Sequence, residues 1–452
     1  MIFEVKNLGN LKEARIDLSK KLIVFTGQNN TGKTYLSYAI YGLLSQTSPN
    51  KFTNDLLDES QKTLLTIGKA KIDIIELAND VKFRVFSINE FKKNLPVYYG
   101  VKEDFFSKTE FSIFWPEEFL LNVNFNIPVY LSNNNVANIQ KKKGEKIVDL
   151  SILDELEERS KVNFARLIVE ALPKLLINGS RYSYKFFPIE RVGVAVFSKD
   201  IYNSRFFLTN KITTFQNPDE IIKAVQDNIN HYPSSINDAI STQENLSKFD
   251  NNILSDFADL ALELEGKILG GELHTKEQGD VFLHINSIEI SIQLAGSTVK
   301  SLSSLIFYLK YEAKINDTLI IDEPEINLHP DNQLIVARIL TQLVNRGIRL
   351  IVSTHSDYIL REFNHLLLMG SHKDDEITKE LMERYGYKTE EVLNPDEVGA
   401  YIFHRNEDLT AQASEIVIDP IDGIQPDTIN QVINQQNKIS SALYNRLIAE
   451  NV

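Results

Sequence analysis

Residues 27–34 read G-x-x-x-x-G-K-T after the apolar run 22–25, a spacing that suits phosphate binding. Glycines let backbone N–H groups curl around phosphate oxygens, and the N-terminus of a following helix adds a positive dipole. Lys33 would reach the β- and γ-phosphates, while the Thr34 hydroxyl would bind Mg²⁺. A chance glycine turn before a helix is the alternative. The predicted phosphate contacts are Gly27, Asn29, Asn30, Thr31, Gly32, Lys33 and Thr34.

A second stretch ends a predicted buried strand in two adjacent acidic residues. It reads "TLIIDEPEINLHP", from Thr318 to Pro330, and contains Asp322 and Glu323. Acidic side chains at the carboxyl end of a parallel strand lie where such sheets bind ligands. We predict that Asp322 holds the Mg²⁺ shell and that Glu323 polarises the attacking water. The alternative is a solvated strand end.

Two further stretches could contact the terminal phosphate. "LIVSTHSD" predicts a buried strand parallel to the acidic one, with His355 just past its end and able to hydrogen-bond near the γ-phosphate. "LAGSTVKSLSSL" predicts a helix whose N-terminus presents the unpaired N–H groups of Gly296 and Ser297 as a second anion site. This site cannot easily face the phosphate held by Lys33 of its own chain. We therefore expect each chain to supply it to the other's γ-phosphate, with simple helix capping as the alternative.

The predicted elements would bring these stretches together in an α/β fold. After residue 297 helices alternate with strands, an order that predicts a parallel sheet with helices on its faces. Residues 267–296 predict three antiparallel strands, and a helix is expected from Gly32 to about Leu44. Three N-terminal strands are expected near residues 2–6, 11–17 and 21–26.

The middle of the chain has weaker patterns. Alternating residues at 70–80 and 81–91 predict a hairpin that extends the N-terminal sheet, and residues 182–197 read as strand. Helical stretches are predicted within 153–176 and 201–265. The predicted domains are a phosphate-binding head with its N-terminal part at 1–94, an inserted lobe at 95–178, head strands at 179–200, a helical insertion at 201–264, the C-terminal part of the head at 265–390, and C-terminal strands with a closing helix at 391–452.

The 452-residue chain has the composition of a soluble globular protein, with 43% hydrophobic and 24% charged residues. It contains no apolar run long enough for a membrane span, no recognisable leader and no cysteine, so we expect a cytoplasmic protein without disulfides. The net charge of −14 argues against constitutive nucleic-acid coating and leaves DNA contact to local patches. The basic stretch from Gln140 to Lys146 is a candidate patch, with a solvated loop as the alternative.

In combination, the motifs resemble a known group of ATPases. The set GQNNTGKT, AGSTVKSLSSL, IIDEPEINLHP and STHSD is similar to the ABC-type ATPases of the SMC/OLD group, and within it to the "AAA" ATPase subunits of bacterial antiphage systems such as Septu and PARIS. The resemblance covers about the first 45 residues and about 265–405. It implies ATP-dependent head-to-head dimerisation with two composite sites. Each site would combine Lys33, Thr34, Asp322, Glu323 and His355 of one chain with Gly296 and Ser297 of the other.

Other features of the resemblance are less complete. "FPIERVGV" resembles a strand with a Pro-x-x-Arg turn, which leaves Arg191 either lining the nucleotide site or forming a structural salt bridge. The signature reads GSTVKS in place of LSGGQ, and no glutamine loop can be assigned. Residues 46–264 hold too few heptads for coiled-coil arms. The expected fold is an ABC-type ATPase head, with a mixed sheet around the phosphate loop and an antiparallel β subdomain, carrying an inserted α+β or helical lobe.

These observations predict an ATPase that binds and hydrolyses Mg-ATP and forms a homodimer or higher assembly. The chain offers no obvious effector, because Asp419 and Asp422 have the wrong spacing for a TOPRIM nuclease. The resemblance therefore implies control of a separately encoded nuclease or toxin in antiphage defence. The alternatives are a DNA-binding repair or recombination clamp, a scaffold with structural ATP, and the ATPase subunit of a transporter.

Overall fold

The computed structural model describes most of the chain. The described residues are 1–45, 54–131, 134–152, 158–178, 183–198, 200–201, 232–248, 254–276, 280–419, 421, 423–424 and 427–450. Asp422 lies outside these ranges. Asp419 lies within them and forms an isolated antiparallel bridge with Gly423.

The described part of the chain forms three β-sheets. The strands are β1 (Ile2–Leu8), β2 (Leu11–Asp17), β3 (Leu22–Gly27), β4 (Lys69–Asp73), β5 (Glu110–Phe114), β6 (Phe125–Leu131), β7 (Asn134–Lys141), β8 (Ile147–Ile152), β9 (Tyr184–Phe187), β10 (Glu272–Thr275), β11 (Val281–Ile285), β12 (Ile288–Ser291), β13 (Thr318–Asp322), β14 (Arg349–Ser353), β15 (Val398–Arg405) and β16 (Ala411–Ile416). The largest sheet has the order β5-β1-β2-β16-β15-β3-β14-β13-β9. Two smaller sheets have the orders β10-β11-β12 and β4-β8-β7-β6.

Helices cover the faces of these sheets. They are α1 (Lys33–Ser45), α2 (Asp55–Ile67), α3 (Ile74–Asn79), α4 (Val81–Tyr99), α5 (Glu117–Asn122), α6 (Glu158–Asn178), α7 (Ser234–Glu244), α8 (Ala258–Leu264), α9 (Ser297–Tyr311), α10 (Pro330–Asn345), α11 (Asp357–Ser371), α12 (Glu376–Tyr385) and α13 (Asp427–Glu450). Residues 191–198 are also helical. Among the helices that the structure describes, none combines the length and apolar character needed to cross a membrane.

The largest sheet is mixed, as the sequence predicted. Its centre is parallel, because β9, β13, β14, β3 and β15 all run in one direction. Antiparallel pairing takes over toward one edge, where β1 pairs with β2 and with β5. The predicted antiparallel subdomain is also confirmed, since β10, β11 and β12 pair antiparallel with one another. The α/β fold class is therefore confirmed.

The central strands are buried on both faces, which explains their unbroken apolar runs. Ile23 and Phe25 of β3 belong to a core that includes α1, while Leu22 and Val24 belong to a second core that includes α9, α10 and α11. The alternation follows from the two-residue period of a strand. The sheet thus separates two hydrophobic cores. The strands that carry the predicted site are packed between these cores.

The hairpin predicted over residues 70–91 is wrong. β4 is a strand of the four-stranded sheet, and two helices, α3 and α4, follow it. The side chain of Asp73 accepts hydrogen bonds from the N–H groups of Ile75 and Glu76, and Asp80 accepts one from Phe83. Aspartate at an N-cap satisfies free N–H groups of the first helical turn, so these two residues start helices where apolar alternation predicted strands.

Among its described residues, the strand predicted over residues 182–197 is correct only at Tyr184–Phe187. β9 ends at Phe187, and the chain then turns into the helix over 191–198. Pro188 lacks the backbone N–H that would continue a strand ladder. A turn follows, in which the Arg191 N–H donates to the Pro188 carbonyl at 3.1 Å.

Strands pair across one of the predicted domain boundaries. The boundary between residues 94 and 95 falls inside α4. β4, on its N-terminal side, pairs with β8, whereas β5, on its C-terminal side, pairs with β1 of the large sheet. The division of the chain into a head and an inserted lobe stays a prediction.

Candidate functional site

Three neighbouring parallel strands bring the predicted motifs to one edge of the large sheet. β3 ends at Gly27, β13 at Asp322 and β14 at Ser353, and all three strands point the same way. A cavity of about 690 Å³ opens at this carboxyl edge. The cavity is lined by Gly9, Asn10, Asn29, Asn30, Thr31, Gly32, Lys33, Thr34, Tyr35, Phe105, Asp322, Glu323, Ser353 and His355.

Positive φ angles curl the chain between β3 and α1. The φ angle is 119° at Gly27, 60° at Asn30 and 91° at Gly32. Glycine and asparagine tolerate this region better than other residues. The Lys33 ammonium donates hydrogen bonds to the carbonyl oxygens of Gly27, at 3.2 Å, and Gln28, at 2.7 Å. The loop therefore folds around its own lysine, whose N–H donors a phosphate oxygen could take over.

Thr34 and Asp322 offer two oxygen ligands side by side. The Thr34 hydroxyl donates a hydrogen bond to Oδ2 of Asp322 at 2.9 Å. The other carboxylate oxygen of Asp322 accepts a hydrogen bond from the Ser353 hydroxyl. Mg²⁺ prefers oxygen ligands and is commonly held by one or two protein groups together with substrate phosphates. The two side chains predicted to bind magnesium therefore fit that ion.

Glu323 has a backbone conformation that is rare for a side-chain-bearing residue. Its φ is 48°, and its N–H donates to the Ser353 carbonyl at 3.0 Å. Residues held in such sparsely populated conformations cluster at active sites. Burial, reinforced by the neighbouring carboxylates of Glu325 and Asp322, raises the pKa of Glu323 above its ordinary value. A carboxylate with a raised pKa is a stronger base, which suits the predicted activation of water.

His355 lies beside Glu323, with 3.8 Å between its Nε2 and Oε1 of the glutamate. Burial and the nearby Lys33 lower the pKa of His355 to about 4. The imidazole is therefore neutral at physiological pH, and the contact is not an ion pair. A neutral imidazole can either donate or accept a hydrogen bond at a phosphate or a water.

Glu325 holds the end of β14 and was missed in the sequence. One of its carboxylate oxygens accepts hydrogen bonds from the Thr354 hydroxyl at 2.8 Å and from the N–H groups of His355 at 2.7 Å and Ser356 at 3.1 Å. These bonds fix the backbone that carries His355. The available signal was the second acidic residue of the D-E-P-E motif.

The structure supports neither alternative predicted for Arg191. Its side chain is buried, it does not line the cavity, and its hydrogen bonds go to backbone carbonyl oxygens instead of carboxylates. Burial lowers the pKa of Arg191 to about 10, so that the guanidinium stays charged at neutral pH. The sequence alone could not indicate these contacts, because they join three distant segments.

Gly296 and Ser297 lie at the exposed N-terminus of α9. Gly296 caps the helix with φ −61° and ψ 159°, without a side-chain hydrogen bond. A Cβ atom at Gly296 would meet nothing within 4 Å. Neither Gly296 nor Ser297 is among the described residues that line the cavity. Within a single chain, this helix end is therefore separate from the phosphate loop.

Four cavity residues outside the motifs were also missed. Gly9 and Asn10 come from the β1–β2 turn, Tyr35 from α1, and Phe105 from the segment between α4 and β5. Half-exposed Phe105 stacks edge to face on Phe106, with 5.0 Å between ring centroids. The signal for Gly9, Asn10 and Phe105 is weak, because these residues lie far along the chain from the phosphate loop, whereas Tyr35 directly follows Thr34.

The basic stretch from Gln140 to Lys146 is partly structural. The Lys141 side chain is buried and donates to the carbonyl oxygens of Leu121, Val123 and Lys142. Lys146 forms an ion pair with Asp73 at 2.8 Å. Both ends of the stretch therefore anchor the turn between β7 and β8. Contact with nucleic acid stays a prediction.

A family model described as "AAA ATPase domain" matches residues 1–360. The chain belongs to this ATPase family. The match extends from the phosphate loop through the acidic strand to His355, so the residues that converge on the cavity all lie within it. Membership in the AAA ATPase family identifies the chain as a nucleotide-binding ATPase. No curated protein is detectably similar to it.

Two solved structures show weak similarity to this AAA ATPase. The crystal structure of the SmcHead bound to the C-winged helix domain of ScpA is 11% identical, with a TM-score of 0.35, over 93% of this chain and 98% of that one. The Smc head domain with an extended coiled coil, bound to the C-terminal domain of ScpA derived from Pyrococcus furiosus, is 10% identical, with a TM-score of 0.33. That alignment covers 97% of this chain and 98% of the other.

Proposed function

We propose that the chain binds Mg-ATP in the cavity at the carboxyl edge of the sheet and hydrolyses it with Glu323 as the general base. The observation that carries the proposal is the convergence of Lys33, Asp322, Glu323 and His355 on that cavity from three parallel strands. These groups supply positive charge, metal ligands and a base, which are the parts that phosphoryl transfer to water requires.

Each residue has a distinct role in the proposed reaction. Lys33 would bind the β- and γ-phosphates. Thr34 and Asp322 would hold Mg²⁺, and the ion would supply positive charge to the phosphate oxygens. Glu323 accepts a proton from the attacking water. As it does so, the oxygen of the water bonds to the γ-phosphorus, and the bond between the γ-phosphorus and the oxygen that leaves with ADP breaks. The neutral His355 hydrogen-bonds the γ-phosphate or the water.

The ATP site is proposed to be completed by a second copy of the chain. The exposed N-terminus of α9 supports this, because helix N-termini bind anions and its Gly296 leaves room for a phosphate to approach. An ABC-type assembly in which α9 of each chain covers the other's γ-phosphate would use this helix end. ATP would then act as the link between two chains.

The ATPase is further proposed to control a separately encoded nuclease or toxin in antiphage defence. The support is the resemblance of GQNNTGKT, AGSTVKSLSSL, IIDEPEINLHP and STHSD to the ATPase subunits of such systems. The product of the adjacent reading frame should co-purify with the tagged ATPase and lose that association when Lys33 is replaced by Ala. An adjacent product that never associates would remove support for the effector.

Mass in solution tests the ATP-dependent assembly. The wild type and Glu323→Gln should each be measured by light scattering without nucleotide and with Mg-ATP. The substitution keeps the side-chain size and removes the carboxylate that accepts the proton, so we expect ATP to lock a larger assembly in the variant. The ATP turnover rate of Glu323→Gln should be lower than that of the wild type by about 100-fold or more.

Either result is informative about the site. A locked assembly together with lost hydrolysis supports the composite site. Should nucleotide binding and mass ignore both ATP and the Glu323 substitution, the assignment of the cavity to ATP would be wrong.

A further inference from the structure

A buried arginine joins the acidic strand to the helix that carries the exposed anion site. Arg191 belongs to the helix over residues 191–198, and its side chain is buried. Its Nε donates to the Ser301 carbonyl of α9 at 3.0 Å. Its Nη1 donates to the Asp322 carbonyl at 2.7 Å, and its Nη2 donates to the Glu323 carbonyl at 2.6 Å.

The chemistry of these bonds requires a guanidinium. Arginine presents five N–H donors in a rigid planar fork, whereas a lysine ammonium offers three donors around one point. A further bond from Nη1 to the Pro188 carbonyl, at 3.0 Å, anchors the fork to its own segment. Burying a charge is costly, and the carbonyl dipoles that Arg191 contacts, together with the nearby carboxylates of Asp322 and Glu325, offset part of that cost. A residue with no function beyond filling this space would more often be apolar.

The bonds act where the catalytic backbone is strained. Glu323 has a φ of 48°, and its N–H is held by the Ser353 carbonyl. Its carbonyl is held by Arg191. A left-handed conformation is unfavourable for a residue with a Cβ, so it persists only where surrounding bonds enforce it. Arg191 supplies one of those bonds and thereby helps to set the direction of the Glu323 side chain.

The same guanidinium also contacts α9, whose N-terminus is the proposed site for the second chain's phosphate. Ser301 lies one turn inside that helix. A movement of α9 would therefore displace the fork and, with it, the carbonyl oxygens of Asp322 and Glu323. A misplacement of about 1 Å in a catalytic group can cost roughly 100-fold in rate.

We propose that Arg191 is a positioning residue that couples the seating of α9 to the orientation of Glu323, so that hydrolysis depends on contact with the second chain's nucleotide. This inference rests on the proposed ATPase function. According to it, Arg191, which lies outside the cavity, regulates the proposed ATP site. Arg191 does not touch the substrate in this arrangement and acts through the backbone of Glu323.

Chemical rescue tests the coupling. Arg191→Ala leaves a space lined by the four carbonyl oxygens, which free guanidinium ion can enter. We expect ATP to bind with wild-type affinity while kcat falls by roughly 10- to 100-fold. Guanidinium at low millimolar concentration should restore part of the lost kcat, and equal concentrations of ammonium or urea should not.

Lys310 provides a matched control on the same helix. Its buried ammonium donates to the Leu273 carbonyl at 3.0 Å and pairs with Glu265 at 2.8 Å, both of which belong to the segment 265–275. Lys310→Met should destabilise the fold without changing kcat per folded molecule. Arg191→Lys serves as a second variant if Arg191→Ala does not fold, and it should keep ATP binding with a reduced kcat.

The outcomes separate this inference from the proposed function. An Arg191→Ala or Arg191→Lys variant that turns over ATP at the wild-type rate per folded molecule would overturn the coupling. A folded alanine variant whose lost rate guanidinium does not restore would overturn it too. If the wild type itself neither binds nor hydrolyses ATP, the proposed function fails first.

Discussion

Lys33 combines an unusual titration with a proposed role at the phosphates of ATP. Burial lowers its pKa to about 8, and the carboxylates of Asp322, Glu323 and Glu325 only partly oppose the shift. A pKa in this range means that Lys33 is mostly protonated at neutral pH in the free protein and loses its charge in mildly alkaline solution. Because the proposed contact with ATP needs the ammonium form, affinity should depend on pH in that range.

We predict that the dissociation constant for ATP is flat below about pH 8 and rises by up to about tenfold for each pH unit above it. The sign follows from linkage: above the lowered pKa, binding must take up a proton that the free protein no longer holds. Isothermal titration calorimetry between about pH 7 and pH 9.5 would measure both the constant and the proton uptake.

Lys33→Arg is the control for this pH profile. A guanidinium keeps its charge throughout the range, so its weaker binding should show no alkaline decline. A wild-type profile that stays flat to about pH 9.5, with no proton uptake, would contradict the role given to Lys33.

At the scale of elements, the turn from β3 into the loop depends on the absence of a side chain at Gly27. Its φ is 119°, and an added Cβ would lie 2.1 Å from the carbonyl oxygen of Phe403 on β15. That oxygen also accepts a hydrogen bond from the Gln28 N–H at 3.1 Å. We predict that Gly27→Ala lowers the free energy of unfolding by more than about 3 kcal/mol and abolishes ATP binding.

Gly144 separates strain from steric overlap in this test. It also has a positive φ, 82°, but a Cβ there would meet nothing within 4 Å. Gly144→Ala should therefore cost only about 1–2 kcal/mol in urea unfolding and leave ATP binding intact. Equal costs for the two substitutions would show that the contact with Phe403 is unimportant.

The sequence of α4, part of which was predicted as a strand, contains a pattern that indicates a helix. In α4 the buried residues Phe83, Ser87, Phe91, Leu95 and Tyr99 recur every four positions. That spacing is typical of a helix face, whereas the alternation of residues at 81–91 predicted a strand. Asp73 and Asp80, as N-caps, would have resolved the ambiguity.

For the whole molecule, the decisive question is whether α9 meets the nucleotide of a second chain. Gly296→Asp tests it, because aspartate is a favoured N-cap residue and space exists for it in the single chain. We predict unchanged or slightly higher stability of the monomer. In the Glu323→Gln background, ATP-driven assembly should weaken by about tenfold or more, since the new carboxylate would face a phosphate.

Gly296→Asn is the matched control. Asparagine caps a helix about as well as aspartate and has nearly the same shape, but it carries no charge. Assembly measured by light scattering should therefore remain closer to wild type in this variant. If the Asp variant assembles on ATP as well as the Asn variant does, α9 does not approach a phosphate in the assembly.

Local sequence patterns were sufficient for the phosphate loop, the acidic strand and the parallel α/β core. Each depends on short-range causes: glycine conformations, helix N-termini, and apolar runs that β3, β13 and β14 require because both of their faces are buried. The tertiary contacts of Arg191 and Glu325 could not be predicted from local patterns. Arg191 bonds to carbonyl oxygens 110 or more residues away, and Glu325 bonds to a strand end 30 residues on. A carbonyl oxygen is present in every residue and leaves no mark in the sequence, so these contacts exist only once the sheet has brought the strand ends together.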